Sequence, residues 1–571
     1  MELTNVIVYL WRLAITPGQA DSMSSSQRLS SRHSLFRVLI LLAMAFAPLM
    51  ALAEAPNPDD LYQRALAAIN DMQYEEGAKL FDQLIAARDD EENDYYNAAC
   101  AYALAGNKDA AFDRLSSALQ HGFSDEKTLQ SDSDLKSLHG DPRWQTFVAS
   151  VMQARAADPA ARLLDLLRNT RAPSAELYMA AQKALRDGAR FSKETDWTLS
   201  QMYATVSTFA GDYISANAYY SNGGSKVDPV VSGYTRARPA LDSLLSLTKD
   251  RRAVFLNESH AQADTRAANF ALLEPLRKQG FNYLALEGLS VKKNATDGCQ
   301  ADVMTDEALQ ERGFPTRDTG YYTREPVFAE FVREAIRLGY RLYAYEAMQY
   351  DKAKIQTQAM REQGEADNLA CLFARDPEAK VLLVAGFSHI AENPLLADDE
   401  QGWMAYRFKT KTGIDPLTID TTMQLHRQFD GLEYSSKEGD SHNVGAYTLA
   451  NDAGELLGDA EKGFDITLYI PPAVSRDATP NWLELGGARL GITVSDELCR
   501  GKRPCLIDAH KVEESDEAVA SDRCVLHSPD EASCRLYLTP GSHRLQFMDE
   551  TTTVIGEQTV LAMRGTEQVQ P

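Results

Sequence analysis

Ala253-Val254-Phe255-Leu256-Asn257-Glu258-Ser259-His260 decides how this chain is read, because a short apolar run stops there on an acid and a histidine. Three further runs share the form. Tyr283 to Leu286 stops at Glu287, Leu342 to Tyr345 stops at Glu346, and Val381 to Ala385 leads into Gly386, Phe387, Ser388 and His389. Short apolar runs separated by helix-length stretches predict buried parallel strands in an α/β layer. In an open sheet of that kind, ligands bind outside the carboxyl ends of the strands. Two histidines and three glutamates are therefore expected to converge on one crevice. Helical phasing between the runs passes through Phe270, Leu273 and Leu276 to Gly280, and through Phe328, Phe331, Ala335 and Ile336 to Gly339. Glycine is the expected stop, since it takes left-handed backbone at little cost. Residues 291–325, with Cys299, Tyr321 and Tyr322, read as a long polar loop of the kind that forms lids or binding loops.

At 571 residues the chain exceeds what one core usually holds, and a multidomain fold is expected. The reading is a targeting segment over 1–55, helical repeats over 56–155, a helical spacer over 156–246, a mostly parallel α/β domain over 247–428 and a β-rich C-terminal domain over 429–571. Acidic residues number 82 against 58 basic ones, a net charge of −24, and no basic stripe is present. Nucleic acid is thereby excluded as a partner, because phosphate binding needs clustered cations.

Arg28, Arg32 and Arg37 precede an apolar core from Val38 to Leu52, which Pro48 interrupts. Ala51-Leu52-Ala53 or Ala53-Glu54-Ala55 then offers a cleavage site, and Met23 is an alternative start. The stretch is short for a span, so cleavage is favoured over an anchor, and no integral membrane segment is expected afterwards. A periplasmic or secreted protein follows. Cys499, Cys505, Cys524 and Cys534 crowd the C-terminal region, and neighbour pairing, 499–505 and 524–534, is preferred over a zinc site because no C-x₂-C spacing occurs. Cys299 and Cys371 can pair, which leaves Cys100 free. In the same region Phe464 to Ile470, two alternating stretches around Pro540-Gly541, and Val554 to Met563 read as strands.

Gly77 and Phe81 recur as Ala111 and Leu115, an offset of 34 residues, the period of tetratricopeptide (TPR) helix pairs. Gln120 to Ser124 and Asp132 to Trp144 follow, and this tail resembles the one that closes groups of such repeats. The resemblance covers residues 58–155 and implies a protein partner for the repeats.

The central motifs occur in a recognisable order: Asn257-Glu258-Ser259-His260, Leu286-Glu287-Gly288, Arg361-Glu362 with Asn368-Leu369, and Gly386-Phe387-Ser388-His389. The order resembles a superfamily that contains erythromycin esterase-like hydrolases, ChaN-like haem-uptake proteins and the Tiki/TraB proteases. Gly413 to Asp420 is similar to a tract of the esterase-like members. The first motif departs from the usual Gly-Glu-x-His, with Asn257 in the glycine position. The resemblance implies a working centre of His260, Glu287 and His389, supported by Glu258 and Arg361.

Two mechanisms stay open for these residue types. His260, His389 and Glu287 can bind a divalent metal, zinc or manganese, that activates water. Alternatively, a histidine tuned by an adjacent carboxylate deprotonates water directly, Glu287 or Glu346 handles the second proton transfer, and Arg361 offsets negative charge or pins the carboxylates. The metal-free form is preferred. The expected function is hydrolysis of an ester, lactone or amide bond in a small-molecule or peptide substrate. The alternatives are a haem-binding protein using the same histidines, with Tyr321 or Tyr322 as a further ligand, and a TPR interaction scaffold without catalysis.

Overall fold

The computed structural model describes residues 57–564 except 89–90, 170, 192–195, 221–226, 229–232, 290–306, 348–356, 395–401, 424–427, 430–444, 472–474 and 477–478. The targeting segment and Cys299 lie outside the described residues. The chain divides into two compact units, Met1–Ala157 and Asp158–Pro571.

The described part of the first unit is helical. Helices α1 (Pro58–Asn70), α2 (Tyr74–Ala87), α3 (Glu92–Leu104) and α4 (Lys108–Gln120) follow one another through short turns, then α5 (Glu126–Ser131) and α6 (Pro142–Ala157). Gly77 shows why the small residues recur: a Cβ there would lie 2.6 Å from Ile69 Cδ1 on the neighbouring helix. Phe81, Ala111 and Leu115 are buried in the shared core.

In the second unit, α7 (Pro159–Leu167), α8 (Ser174–Arg186), α9 (Trp197–Phe209) and α10 (Tyr213–Tyr220) lead to α11 (Ala240–Thr248) and the central sheet. Its strands are β1 (Ala253–Glu258), β2 (Tyr283–Leu286), β3 (Arg341–Ala344), β4 (Val381–Gly386), β5 (Leu417–Asp420) and β6 (Ile466–Thr467), in the order β6-β5-β1-β4-β2-β3. All neighbouring pairs are parallel. Alternate residues serve opposite faces, as the pleat requires. Val254, Leu256, Leu284 and Leu286 pack with α11, α12 (Ala263–Phe270), α13 (Leu273–Lys278) and α15 (Pro326–Arg337). Ala253, Phe255, Tyr283 and Ala285 pack with α16 (Gln358–Arg375) and α17 (Met404–Thr412) on the other side.

Three expectations need correction. The helical pattern after β1 is broken into α12 and α13, because Pro275 cannot donate to the carbonyl four residues back. Residues 291–325 are no structureless loop: the described part holds α14 (Glu307–Arg312) and a 3-10 turn at Tyr322–Arg324. The boundary after residue 428 also fails, since β6 comes from the segment assigned to the C-terminal domain. It pairs with β5 and covers what would otherwise be an open sheet edge.

The C-terminal strands are β7 (Leu490–Ser495), β8 (Cys505–Lys511), β9 (Asp522–Leu526), β10 (Ser533–Leu538), β11 (Gly541–Met548) and β12 (Val554–Ala562). They form a two-stranded β7-β10 sheet and a four-stranded β9-β8-β11-β12 sheet, both antiparallel, around one core. The stretches on either side of Pro540-Gly541 thus belong to different sheets, and the Pro-Gly is a corner where the chain changes sheet. Disulfides join Cys499 to Cys505 and Cys524 to Cys534, Cys371 is also disulfide-bonded, and Cys100 is free and buried. Such bonds persist in oxidising compartments, which fits an exported protein. Among the described residues, no helix is long and apolar enough to cross a membrane.

The helical block is fixed to this β module. Leu506 and Met548 pack into the α8–α9 core, and Arg523 Nη1 donates to Phe209 O at 2.7 Å. Gly211, with φ +73°, sits so close that a Cβ would lie 2.1 Å from Arg523 O. Gly211→Ala is expected to destabilise the chain by at least about 2 kcal/mol in urea denaturation, from left-handed backbone plus the clash; an unchanged midpoint would contradict the contact.

Candidate active site

The parallel sheet brings the carboxyl ends of β1, β2, β3 and β4 side by side, and the expected cluster assembles there. Glu258 closes β1. Its Oε1 lies 2.5 Å from His260 Nδ1. A carboxylate only accepts, so Nδ1 carries the proton and Nε2 is left as the open nitrogen. Glu258 Oε2 takes Arg266 Nε at 2.8 Å. Burial would raise the Glu258 pKa, but the charges of Arg266 and His260 lower it. The His260 ring lies flat on Tyr322, centroids 3.7 Å apart, and edge-on to Phe387 at 5.1 Å.

Glu287 follows β2 and points across to β4. Its Oε2 accepts from Gly386 N at 2.5 Å and its Oε1 from Arg361 Nη2 at 2.6 Å. Burial opposes ionisation, yet the charges of His389, Arg361 and His260 hold this carboxyl well below the usual range. Gly386 explains how the two sides meet: a Cβ there would lie 2.7 Å from His260 Nε2 and 3.2 Å from Glu287 Oε2. Here glycine is required by close approach, not by its backbone angle, since its φ is −73°.

Arg361, on α16, is the hub. It grips Glu346 through Nε at 3.1 Å and Nη2 at 2.5 Å, and its Nε also lies 3.0 Å from Glu365 Oε1. Its Nη1 is 3.1 Å from His389 Nε2. His389, in the 3-10 turn after β4, has Nδ1 2.8 Å from Glu362 Oε1 and 3.4 Å from Glu365 Oε2, while Nε2 lies 3.7 Å from Glu287 Oε1. Burial lowers the His389 pKa, but Glu287, Glu365 and Glu362 outweigh it and push it up to about 10. Burial drives the Glu365 carboxyl the other way from Glu287, well above the ordinary carboxylate range.

All five residues expected from the sequence, Glu258, His260, Glu287, Arg361 and His389, therefore lie in one connected cluster, and Glu346 joins it. Sequence reading missed Arg266, Glu325 and Glu365, and quoted Glu362 in a motif without giving it a role. It also missed what Asn257 does. The Asn257 amide donates to Phe387 O at 2.9 Å and Asp420 Oδ1 at 2.7 Å, and its oxygen accepts from Thr421 N at 2.5 Å. It ties the ends of β1, β4 and β5 together. Phe387, held by that bond, has a left-handed φ of 44°.

The proposed metal ligands do not fit an ion. Arg361 faces Glu287 Oε1 and His389 Nε2, so a guanidinium stands where a cation would need those atoms. Glu362, Glu365 and His389 have donor atoms within 4.8 Å of one another. Glu362, however, is already used by Met404 N at 2.7 Å and Gln358 Nε2 at 2.5 Å, and orients His389. Burial also pushes the Tyr322 phenol well up, away from the phenolate a haem iron would take.

No family model matches the chain, and no curated protein matches it. Several solved structures align with it. One titled "Crystal structure of bacterial protein toxins" is 13% identical over 68% of this chain and 96% of that chain, with a TM-score of 0.22. A second, "Bacterial protein toxins", is 12% identical over 73% and 99%, with a TM-score of 0.24. RRSP, a MARTX toxin effector domain from Vibrio vulnificus CMCP6, is 12% identical over 61% and 88%, with a TM-score of 0.21. Scores this low carry no argument, and the site stands on its own geometry.

Two outcomes follow. Gly386→Ala is expected to displace His260 and to cost about 1–3 kcal/mol of stability by overpacking, read by urea denaturation; a stability equal to wild type would remove the close approach. His389 gains stability from a raised pKa, so its contribution is complete below about 6.5, the ordinary histidine value, and is lost as pH climbs toward about 10. The stability advantage of wild type over His389→Gln should narrow between pH 7 and 10. A gap that stays constant would show that His389 is neutral in the fold.

Proposed function

We propose that this chain is an exported hydrolase, periplasmic or secreted, that cleaves an ester, lactone or amide bond without a metal. One observation supports the reading above the others: His260, with Nδ1 bonded to an ionised carboxylate, presents its free Nε2 toward Gly386 beside Glu287. In this reading His260 is the general base that takes a proton from the attacking water, and Glu258 orients the ring and stabilises the imidazolium that forms. His389, with its pKa raised by the carboxylates around it, adds with Arg361 to the positive potential on the oxyanion's side of the site. Glu287 anchors His389 and faces the reacting position. Arg361 pins three carboxylates and thereby fixes Glu287, the second of the two roles the sequence allowed it.

The same reading assigns the first unit to a protein partner, as TPR repeats. Helix pairs α1–α2 and α3–α4, with Gly77 and Ala111 at matching close-packed positions, support it.

Activated esters, lactones and peptides give the test on the full chain. His260→Ala is expected to lower kcat/KM by at least about 10³-fold, in the range of general-base removal and beyond, while dialysis against a chelator leaves the rate unchanged. Equal rates for wild type and His260→Ala across that panel would end the hydrolase reading; a rate abolished by the chelator and restored by zinc or manganese would end the metal-free one.

A further inference from the structure

One buried chain of polar contacts runs from His260 away from the crevice, into helices that sequence reading left without chemistry. Glu258 Oε2 is held by Arg266 from two nitrogens, Nε at 2.8 Å and Nη2 at 2.7 Å. Arg266 has no exposed side-chain surface, lies over the Phe328 ring at 4.8 Å, and donates through Nη2 to His260 O at 3.2 Å. Its Nη1 reaches Glu325 Oε2 at 3.3 Å. Glu325, equally buried, caps α15 by accepting from Val327 N at 2.8 Å and Phe328 N at 2.7 Å, and accepts from Tyr213 Oη at 2.8 Å. Tyr213 begins α10, and its ring meets Trp482 edge-on at 5.0 Å. The result is a line of alternating charge: His260, Glu258, Arg266, Glu325, with the Tyr213 hydroxyl at its end.

We propose that Arg266, Glu325 and Tyr213 are positioning residues that fix Glu258 and thereby set the tautomer and basicity of His260. This rests on the reading of His260 as the base. The physical reason lies in the order of charges. A lone buried carboxylate would rotate or take up a proton; two nitrogens of Arg266 fix its plane and leave only Oε1 for the imidazole. Arg266 alone would also weaken the hold of His260 on a second proton. Glu325 offsets that charge, and Tyr213 with two backbone N–H groups fixes the Glu325 carboxylate in place.

Alternation gives the relay a signature that a packing role lacks. Removing a positive member should make His260 more basic, and removing a negative one should make it less so. The other groups facing His260 are Glu287 from β2, Tyr322 from the 3-10 turn and Tyr220 from α10, whose hydroxyl bonds Ser259. Asp522 and Arg489 of the C-terminal module face Glu325 and Tyr213. None of these changes in the variants below.

The test reads His260 directly, with no need for turnover. Carbethoxylation of the full-length protein by diethyl pyrocarbonate between pH 5 and 8, mapped to His260 by peptide mass spectrometry, follows the neutral imidazole. In Arg266→Gln the midpoint is expected to rise and in Glu325→Gln to fall, each by about 0.5–1 unit, as for a single charge a few ångströms further along the line. The double variant should return close to wild type. Midpoints that stay put, or move the same way in both single variants, overturn the relay. Should Arg266→Gln fail to fold, Glu325→Gln decides alone, since glutamine keeps an acceptor for the α15 cap: a fall supports the relay, and no change or a rise overturns it. Opposed shifts in a protein that hydrolyses nothing would retire the hydrolase reading and keep the relay.

Discussion

Five carboxylates buried at one end of one parallel sheet have to be compensated, and that requirement organises the centre of this molecule. Glu258, Glu287, Glu346, Glu362 and Glu365 are all less than a tenth exposed. A buried charge left without a partner costs several kcal/mol, whereas a paired and fully hydrogen-bonded one is roughly neutral. Arg266 on α12 takes Glu258, and with it Glu325, while Arg361 on α16, from the opposite face of the sheet, takes Glu287 and Glu346. Glu362 is met by Met404 N, Gln358 and His389, and Glu365 is answered by its raised pKa, toward the neutral form. The two imidazoles are divided in the same way. His260 belongs to the Arg266 side and keeps a free nitrogen, while His389 belongs to the carboxylate-rich Arg361 side, which raises its pKa. Two histidines that look alike in sequence therefore receive different partners: His260 a single carboxylate at Nδ1, His389 a guanidinium and several carboxylates.

Much of this was legible in the chain because strand endings are local. An apolar run followed by an acid says where a strand stops, and parallel topology says which ends share an edge, so Glu258, Glu287, Glu346 and His389 could be grouped without coordinates. Arg266 could not. In Asp264-Thr265-Arg266 a charged side chain on an amphipathic helix reads as solvated, and only the packing of α12 against both β1 and α15 buries it. Glu362 and Glu365 share a helix face with Arg361, yet nothing in the sequence says which face of α16 meets the sheet. At Glu325 only the following Pro326 marks a helix start, since proline favours the first helical turn and glutamate is not a preferred cap. Neither the cap nor its second use as the partner of Arg266 was read from the sequence, which placed residue 325 at the end of a polar loop.

Asn257 shows how one side chain at a strand end can tie neighbouring strands together. A glycine in that place would let the backbone come close to a neighbour but would tie nothing. Asparagine in extended backbone instead reaches Phe387 O, Asp420 and Thr421, three points on two neighbouring strand ends. One of those bonds holds Phe387 in left-handed backbone, which costs a bulky residue roughly 1–2 kcal/mol. The strained residue follows Gly386 directly, and its ring stands between His260 and Tyr220. Strain of this kind survives only where surrounding contacts over-determine it, and here the asparagine amide and two aromatic neighbours do so. The asparagine at residue 257 and the conformation at residue 387 are thus one feature.

The segments on either side of the sheet, a helical block and a disulfide-linked β module, are joined to it through the same helix that carries Glu325. Arg333 on α15 forks onto Glu514 at 2.7 and 2.6 Å and reaches Val519 O. Arg489 donates to Pro326 O at the first turn of α15 and to Ser521 O. The N-cap of α15 is also the residue that meets Arg266, so the β module, α15, Arg266 and Glu258 form one contiguous line of contacts. The helical block adds Tyr213 at that cap and Tyr220 beside Phe387. A reading that treats the first of these segments as a spacer and the second as a separable recognition module follows from sequence, where each lacks acids at strand ends. Packing gives them a different part: they hold the start of the helix whose N-cap, Glu325, contacts Arg266.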